Sequence, residues 1–243
     1  MRVLLLSDIH ANLPALEAVL ADAEGSGVES VWVLGDIVGY GADPNAVVEL
    51  LRKAGASAVL GNHDAAALGR VGTESFNPLA AEAARWTASV LGPESRAWLE
   101  SLPEVRREHG VTLCHGTLRE PLWEYLFTAE AARAHFALQT TGLSIVGHTH
   151  VPLLLVERGG EIEALWPKAG ERLRLPSTGR ACLNPGSVGQ PRDGDPRAAY
   201  ALLDLSEGWF ELRRAAYPVS EAQRRIRAAG LPEPLALRLA LGR

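Results

Sequence analysis

The stretch Gly147-His148-Thr149-His150 places two histidines one residue apart, directly after the apolar run Leu143-Ser144-Ile145-Val146. Four earlier runs have the same construction, a short apolar segment followed by Asp, Asn or His; they span residues 4–10, 33–36, 59–64 and 111–115. Short apolar runs bounded by turn residues are typical of buried strands. Because open α/β sheets place their sites at the carboxyl ends of the strands, we expect these five polar endings to converge.

The residue types at the strand ends indicate metal binding. Seven positions carry acidic, amide or imidazole side chains: Asp8, His10, Asp36, Asn62, His115, His148 and His150. Divalent transition metals favour imidazole and carboxylate ligands. Two such ions about 3.5–4 Å apart form the clamp used in phosphoester hydrolysis. We therefore interpret the five endings as a two-metal site for phosphoester chemistry.

Length and charge narrow the class of protein. The chain has 243 residues and a net charge of −5. We find no repeats and no low-complexity linker, so we expect residues 1–243 to form one domain. The acidic balance and the lack of a basic stripe exclude a generic nucleic-acid-binding protein, so a nucleic-acid partner is not expected.

The location is predicted from the apolar segments. The first of them is five residues long, too short for a signal peptide or a membrane span. We therefore expect a cytoplasmic protein with no membrane partner. Cys114 and Cys182 lie in or at the end of apolar runs, which favours two buried small side chains over a disulfide. A homo-oligomer is left open, because Trp166 and Trp209 suit a core or an interface equally well.

The first half of the chain reads as βαβαβ. Apolar strands are predicted over residues 2–7, 30–34 and 57–60, with helices between them that begin after Asn12 and Asp43-Pro44. This alternation predicts parallel, helix-covered strands. We expect a helical excursion over about 65–103 that forms one wall of the pocket, and another helical segment over 121–139.

After Pro152 the pattern changes. Six short runs are separated by Gly, Pro and Asp turns, which is typical of antiparallel strands. We therefore expect a second, antiparallel sheet over about 153–217, followed by a helix over 220–229.

Taken in order, the five endings resemble the motifs of the calcineurin-like metallophosphoesterase superfamily. These are Asp8-Ile9-His10, Gly35-Asp36, Gly61-Asn62-His63-Asp64, the single His115, and Gly147-His148-Thr149-His150. The segment Asn184-Pro185-Gly186-Ser187-Val188 looks like the element that follows the last ligand in that family. The resemblance implies an α/β fold of four layers, an αββα sandwich of two mixed β-sheets flanked by helices.

The resemblance also implies a ligand set for two divalent metal ions. Asp8, His10 and His150 would hold the first, Asn62, His115 and His148 the second, and Asp36 would bridge them. A hydroxide held between the ions would attack phosphorus in line. Manganese is the first expectation, with iron, zinc, nickel or cobalt as alternatives, because such ligand sets accept several metals.

Four further side chains are candidates for the reaction or for substrate binding. The resemblance implies that His63 contacts the transferred phosphoryl group and protonates the leaving oxygen, beside Asn62. Asp64 either orients His63 or caps a helix. Tyr40 either stacks on a substrate base or packs in the core. Arg192 either reaches the substrate phosphate or lies in a solvated turn, and the histidines outside the motifs, His109 and His135, are expected at the surface.

The substrate follows only in outline. The loop Gly39-Tyr40-Gly41 and the short chain look like the small bacterial and archaeal phosphodiesterases of the superfamily. A small phosphorylated molecule, a phosphodiester or phosphomonoester, is therefore the expected substrate, and a dinucleoside polyphosphate is the alternative. No Arg follows Gly35-Asp36 to grip a phosphoserine, which disfavours a protein phosphatase. A scaffold that has lost catalysis is disfavoured because every motif residue is present.

Overall fold

The computed structural model describes residues 1–243 and contains twelve strands and eight α-helices. The strands are β1 Arg2–Leu6, β2 Ser30–Val33, β3 Ser57–Ala58, β4 Val105–Glu108, β5 Val111–Cys114, β6 Leu143–Ile145, β7 Leu153–Arg158, β8 Glu161–Leu165, β9 Arg172–Arg174, β10 Arg180–Asn184, β11 Ala198–Asp204 and β12 Trp209–Ala215. The helices are α1 Leu13–Ala23, α2 Pro44–Lys53, α3 Asn62–Ala67, α4 Pro78–Val90, α5 Pro93–Glu100, α6 Ala129–Leu138, α7 Val219–Ala228 and α8 Glu233–Leu237. None of the helices combines the length and the apolar character needed to cross a bilayer.

The strands form two mixed sheets of six. The first has the order β3-β2-β1-β11-β12-β9 and the second the order β4-β5-β6-β10-β7-β8. Strands β1, β2 and β3 are parallel, as the βαβαβ pattern predicts. In the second sheet β6 pairs in parallel with both β5 and β10. The predicted fold class, two mixed sheets flanked by helices, is confirmed.

The prediction that residues 153–217 form a sheet of their own is wrong. Strands β7, β8 and β10 extend the second sheet, and β9, β11 and β12 extend the first. The physical reason is that β1 and β6 would otherwise be edges with unpaired N–H and C=O groups. The late strands pair with those edges, so β1 lies between β2 and β11.

Three apolar cores hold the four layers together. The inner faces of the sheets meet in one core that contains Val3, Leu5 and Trp32 from the first sheet and Leu113, Ile145 and Leu183 from the second. Helices α1 and α2 cover the outer face of the first sheet through residues such as Leu16 and Val48. Helix α6 covers the second sheet through Phe136. Cys114 and Cys182 are free and buried, as predicted.

Of the predicted helix ends, one cap is confirmed, while another cap and one helix start need correction. Asn12 caps α1 through its side-chain oxygen, as predicted. Asp43 makes no such bond to α2 and instead pairs with Arg225 of α7 at 3.1 Å. Residues 121–128 are not helical; α6 begins only after Thr128, whose hydroxyl oxygen accepts from the amide of Ala131.

Candidate metal centre

The candidate ligands lie just beyond the carboxyl ends of four strands and at the start of α3, and all seven are buried. The backbone joins these ends to one another. The backbone amide of Asp8 donates to the carbonyl oxygen of Gly35 at 3.1 Å, and that of His10 donates to the carbonyl oxygen of Asp36 at 2.9 Å. The amide of His148 donates to the Asp8 carboxylate at 3.1–3.2 Å, which joins the two sheets at the site.

The segment after β10 supports the same loops. The side-chain amide of Asn184 donates to the carbonyl of Gly147 at 2.7 Å. The hydroxyl of Ser187 donates to the carbonyl of Asp8 at 2.8 Å. These bonds fix the backbone of two motifs from outside, so residues 184–188 are part of the support of the site.

Five of the seven candidate ligands have a left-handed backbone. Their φ values are +51° for Asp8, +49° for His10, +50° for Asp36, +66° for His148 and +61° for His150. This region is uncommon for residues other than glycine. Each such residue typically costs about 1–3 kcal/mol and persists only where the surroundings enforce it, which is a recurrent property of functional sites.

One group of donor atoms consists of Asp8, His10, Asp36 and His150, which lie within 4.8 Å of one another. His150 Nε2 is 3.2 Å from Asp8 Oδ1 and 3.2 Å from His10 Nε2. His10 Nε2 is also 3.6 Å from Asp36 Oδ2. These four side chains could therefore hold one cation.

A second group shares Asp36 with the first and adds His115 and His148. His115 Nε2 is 3.0 Å from His148 Nδ1 and 3.3 Å from Asp36 Oδ2. It is also 3.2 Å from Asn62 Oδ1. Because the Asp36 carboxylate contacts both groups, its position is the one that a bridging ligand requires.

The partners of the opposite ring nitrogens indicate which tautomer each ring adopts when it is neutral. In all four histidines the ring nitrogen that points away from the centre faces a backbone carbonyl, at 2.6–3.2 Å. The pairs are His10 Nδ1 with Val38, His115 Nδ1 with Leu34, His150 Nδ1 with Gln190 and His148 Nε2 with Trp123. A carbonyl can only accept, so a neutral ring carries its proton on the far nitrogen and its lone pair on the inner one. Two such lone pairs at 3.0–3.2 Å repel each other unless a proton or a metal cation lies between them. The donor set therefore fits two divalent cations.

The protonation states support the same conclusion. Burial lowers the pKa of His148 to about 3 and that of His10 well below its ordinary value, so both rings are neutral. Burial also disfavours charge on His115, but the Asp36 carboxylate outweighs it and raises the pKa of His115 to about 9. Burial disfavours the charged form of Asp36 too, yet His115 and its neighbours hold the pKa of this carboxyl well below the usual range. A proton on His115 therefore occupies the place that a cation would take.

His63 lies against this centre without facing either group of donor atoms. Its backbone amide donates to Asp36 Oδ1 at 2.9 Å. Its ring packs against Tyr40 and Phe76, with centroids 4.3 and 4.7 Å apart, and its Nδ1 has no hydrogen-bond partner. Gly39 makes this packing possible, since a Cβ there would come within 2.7 Å of Nδ1. Burial lowers the pKa of His63 to about 4.

Asp64 makes no hydrogen bond to the His63 ring. Its Oδ1 accepts from the amide of Val38 and its Oδ2 from the amide of Gly61, both at 2.9 Å. The second of these bonds caps α3, so the geometry supports the capping alternative and gives the orienting role no contact. Burial, together with the Asp36 charge, raises the pKa of Asp64 to about 7.

A cavity of about 130 Å³ opens over the centre. Its lining includes Asp36, Asn62, His63, His148, His150, Tyr40, Arg192, Ser75, Phe76, Asn77, Trp123 and Tyr125. Tyr40 is only 5% exposed and packs against the rings of His10 and His63. This burial favours the packing alternative over stacking of a substrate base on Tyr40.

Arg192 is not in a fully solvated turn. It lines the cavity, and its buried Nε has no partner. One terminal nitrogen donates to Gln190 Oε1 at 3.0 Å. The adjacent Asp193 pairs with Arg214 instead, so no carboxylate neutralises the Arg192 guanidinium.

Sequence reasoning missed five residues that line the cavity. Ser75, Phe76 and Asn77 come from the loop between α3 and α4, which agrees with the expected wall from the 65–103 excursion. Trp123 and Tyr125 come from the segment that was expected to be helical. Trp123 and Tyr125 follow shortly after the candidate ligand His115 in the sequence, and this proximity could have indicated that they lie near the site.

The expectation for His135 is also corrected. It is fully buried, accepts a hydrogen bond from the amide of Leu118 and contacts the Ser144 hydroxyl at 2.8 Å, whereas His109 is exposed as expected.

Comparison with known proteins gives concordant matches. The sequence profile of the calcineurin-like phosphoesterase superfamily domain matches residues 1–208. An uncharacterised protein of Methanocaldococcus jannaschii is 39% identical, over 99% of this chain and 98% of its own. Phosphodiesterase YfcE of Escherichia coli is 30% identical, over 84% of this chain and 88% of its own. The crystal structure of a metallophosphoesterase from Sphaerobacter thermophilus superposes with a TM-score of 0.90 at 46% identity, over 100% of this chain and 99% of its own.

Proposed function

Because the chain belongs to the calcineurin-like phosphoesterase superfamily, we propose that it hydrolyses small phosphodiesters or phosphomonoesters at a centre of two divalent cations. The observation that carries this proposal is the convergence of four buried imidazole nitrogens, from His10, His115, His148 and His150, on the Asp36 carboxylate. In each group two of these nitrogens lie only 3.0–3.2 Å apart, and a divalent cation held between them would accept a lone pair from both.

The two groups of donor atoms suggest how the ligands divide. Asp8, His10 and His150 would hold one ion, Asn62, His115 and His148 the other, and Asp36 both. Manganese is the first candidate, with iron, zinc, nickel and cobalt as alternatives, since neutral imidazoles and carboxylates accept all of them. When bound, the cations lower the pKa of coordinated water and offset the negative charge of the phosphate.

The remaining side chains act on the substrate. Arg192 has unused donor capacity at the cavity and would hold a non-bridging phosphate oxygen. Asn62 and His63 line the same cavity and would contact the phosphoryl group from the α3 side. Their positions are held because α3 begins at Asn62 and the backbone amide of His63 donates to Asp36 Oδ1.

His63 would deliver the proton to the leaving oxygen. Its ring is neutral before substrate arrives, because burial lowers its pKa to about 4. A phosphate anion in the cavity adds negative charge next to the ring and favours the protonated form. As the bond from phosphorus to the leaving oxygen breaks, that oxygen takes the bonding pair and accepts the proton from His63.

A dinucleoside polyphosphate is the second candidate substrate. The observation that favours it is the guanidinium of Arg192, which has no carboxylate partner. Such a cation at the edge of the cavity could hold a phosphate group next to the one that is cleaved.

The proposal is tested by metal analysis and by parallel assays. Protein purified without chelator is analysed for metal and then assayed with added manganese on a phosphomonoester, a phosphodiester and a dinucleoside tetraphosphate. We expect about two metal ions per chain and turnover that a chelator abolishes. Protein that binds no metal and hydrolyses none of the three substrates would refute the proposal and favour a scaffold role.

A further inference from the structure

Tyr125 lies at the mouth of the cavity, directly on the candidate ligand His148. The two ring centroids are 3.9 Å apart and the planes differ by 15°. Nevertheless, Tyr125 is 44% exposed. Phe127 continues the same surface: its ring lies 5.9 Å from that of Tyr125, with the planes 12° apart, and it is 62% exposed. We call Tyr125 and Phe127 the aromatic shelf.

The surroundings of the aromatic shelf extend its apolar surface. Phe76 and Trp123 line the same cavity, with ring centroids 5.4 Å apart. Ring faces carry partial negative charge, so a phosphate anion gains no attraction from them. Phenylalanine is among the side chains most often buried in soluble proteins, and tyrosine is intermediate. Their exposure beside a site for phosphate indicates that they serve another part of the substrate.

We propose that the aromatic shelf binds a planar aromatic group that the substrate carries on its phosphate. This inference rests on the proposed function and narrows the substrate class to phosphoesters of nucleosides or of aromatic alcohols. Stacking on a protein ring typically strengthens binding about 5- to 150-fold. Ser75 and Asn77 line the same cavity and offer hydrogen bonds, which a nucleobase could use and a plain aryl ring could not.

The test uses phosphonates, because their carbon–phosphorus bond is not the ester bond that the enzyme cleaves. Binding of phenylphosphonate, cyclohexylphosphonate and methylphosphonate to manganese-loaded protein is measured by calorimetry. The first two differ in planarity at similar size, and we expect phenylphosphonate to bind at least about fivefold more tightly. An adenine-bearing phosphonate distinguishes the two sources of the ring: tighter binding than phenylphosphonate indicates a nucleoside, and equal or weaker binding an aryl alcohol.

Variants then assign the preference to the aromatic shelf. Tyr125→Leu should remove most of the preference for the planar ring, and Tyr125→Phe should keep it. Since Tyr125 also touches His148, the metal content of each variant is measured. Phe127→Leu, which leaves that contact intact, should weaken the preference independently. Equal binding of the phenyl and cyclohexyl compounds by the wild-type protein, or a preference that survives in both leucine variants, would overturn the inference. If no phosphonate binds at all, the proposed function fails and the shelf with it, whereas loss of the ring preference alone overturns only the shelf.

Discussion

Replacement of His63 tests proton transfer without removing a candidate metal ligand. The contact between residue 63 and Asp36 is made by the backbone amide, at 2.9 Å, so it survives any substitution except proline. We therefore expect His63→Ala to keep its metal content. A general acid contributes about 10²–10⁴-fold, so kcat should fall by that factor, which corresponds to about 2.7–5.4 kcal/mol in activation free energy.

The size of the defect should depend on the leaving group. A nitrophenolate is a stable anion and departs without a proton. An alkyl alkoxide is strongly basic and must be protonated as it departs. The assay compares kcat for a 4-nitrophenyl phosphoester and an alkyl phosphoester in the wild-type and variant proteins. We expect the loss to be at least about tenfold larger for the alkyl ester, because only that reaction depends on the proton that His63 supplies.

Two further variants serve as controls for the proton-transfer interpretation. The His63 ring packs between Tyr40 and Phe76, so alanine leaves a void, and His63→Gln fills more of it without being able to transfer a proton. It should share the kinetic defect. His109→Ala, at an exposed histidine, is the matched control and should change neither rate. Equal losses for both leaving groups would assign His63 to phosphate binding, and an unimpaired variant would refute the reasoning altogether.

Three other predictions concern stability and metal content. Two cations, each at a free concentration about 100-fold above its Kd, contribute about 5 kcal/mol to the free energy of unfolding. The unfolding entropy is about 0.5 kcal/mol/K for 243 residues, so a chelator should lower Tm by about 10 °C in calorimetry. An unchanged Tm would contradict two bound ions. In Gly61→Ala the new Cβ would clash with the backbone nitrogen and Oδ1 of Asp36, so metal analysis should show a loss of bound metal. Gly142→Ala is the control, because its Cβ meets nothing within 4 Å and its metal content should be unchanged. Equal metal contents in the two variants would contradict the close approach of Gly61 to Asp36. Burial lowers the pKa of His135 from 6.5 to about 4. The neutral ring therefore contributes its full stabilisation above pH 6.5. The protein loses about 3 kcal/mol of this stabilisation as the pH falls from 6.5 to about 4, because the unfolded chain takes up the proton first. Urea unfolding between pH 7 and pH 4 should therefore show a shallower acid loss for His135→Gln, and parallel curves for the two proteins would be incompatible with this.

The ends of the strands could be predicted from the sequence because their signal is local. An apolar run followed by Asp or His identifies both the strand and the residue just beyond it, as for Asp8 and His115. Parallel strands then bring these endings together whatever the connecting loops do. For this reason the sequence alone predicts all seven candidate ligands.

Strand partners could not be predicted in the same way. The apolar runs of β10 and β11 indicate that strands exist there. They do not indicate which edge each strand will join, because pairing depends on edges left free elsewhere in the chain. The same limit applies to Tyr125 and Phe76. Both belong to loops whose course follows from packing, and no local pattern distinguishes an aromatic residue at a cavity from one in a core.

Asp64 shows a third kind of limit. An acidic residue at the third position of a helix suits both capping and the support of a neighbouring histidine, and the sequence is the same in either case. Only the distances to the amides of Val38 and Gly61 decide between the two.

The position of β1 between β2 and β11 has a consequence for synthesis of the protein. All seven candidate ligands have been translated once the ribosome passes residue 150. The turn that carries Asp8, however, is held by bonds from Ser187, Val188 and Gly189, and β1 gains its second neighbour only with residues 198–204. While residues 151–204 are being synthesised, the nascent chain therefore has all seven candidate ligands but lacks the contacts that hold their turns in place. We expect metal capture to be one of the late steps of maturation.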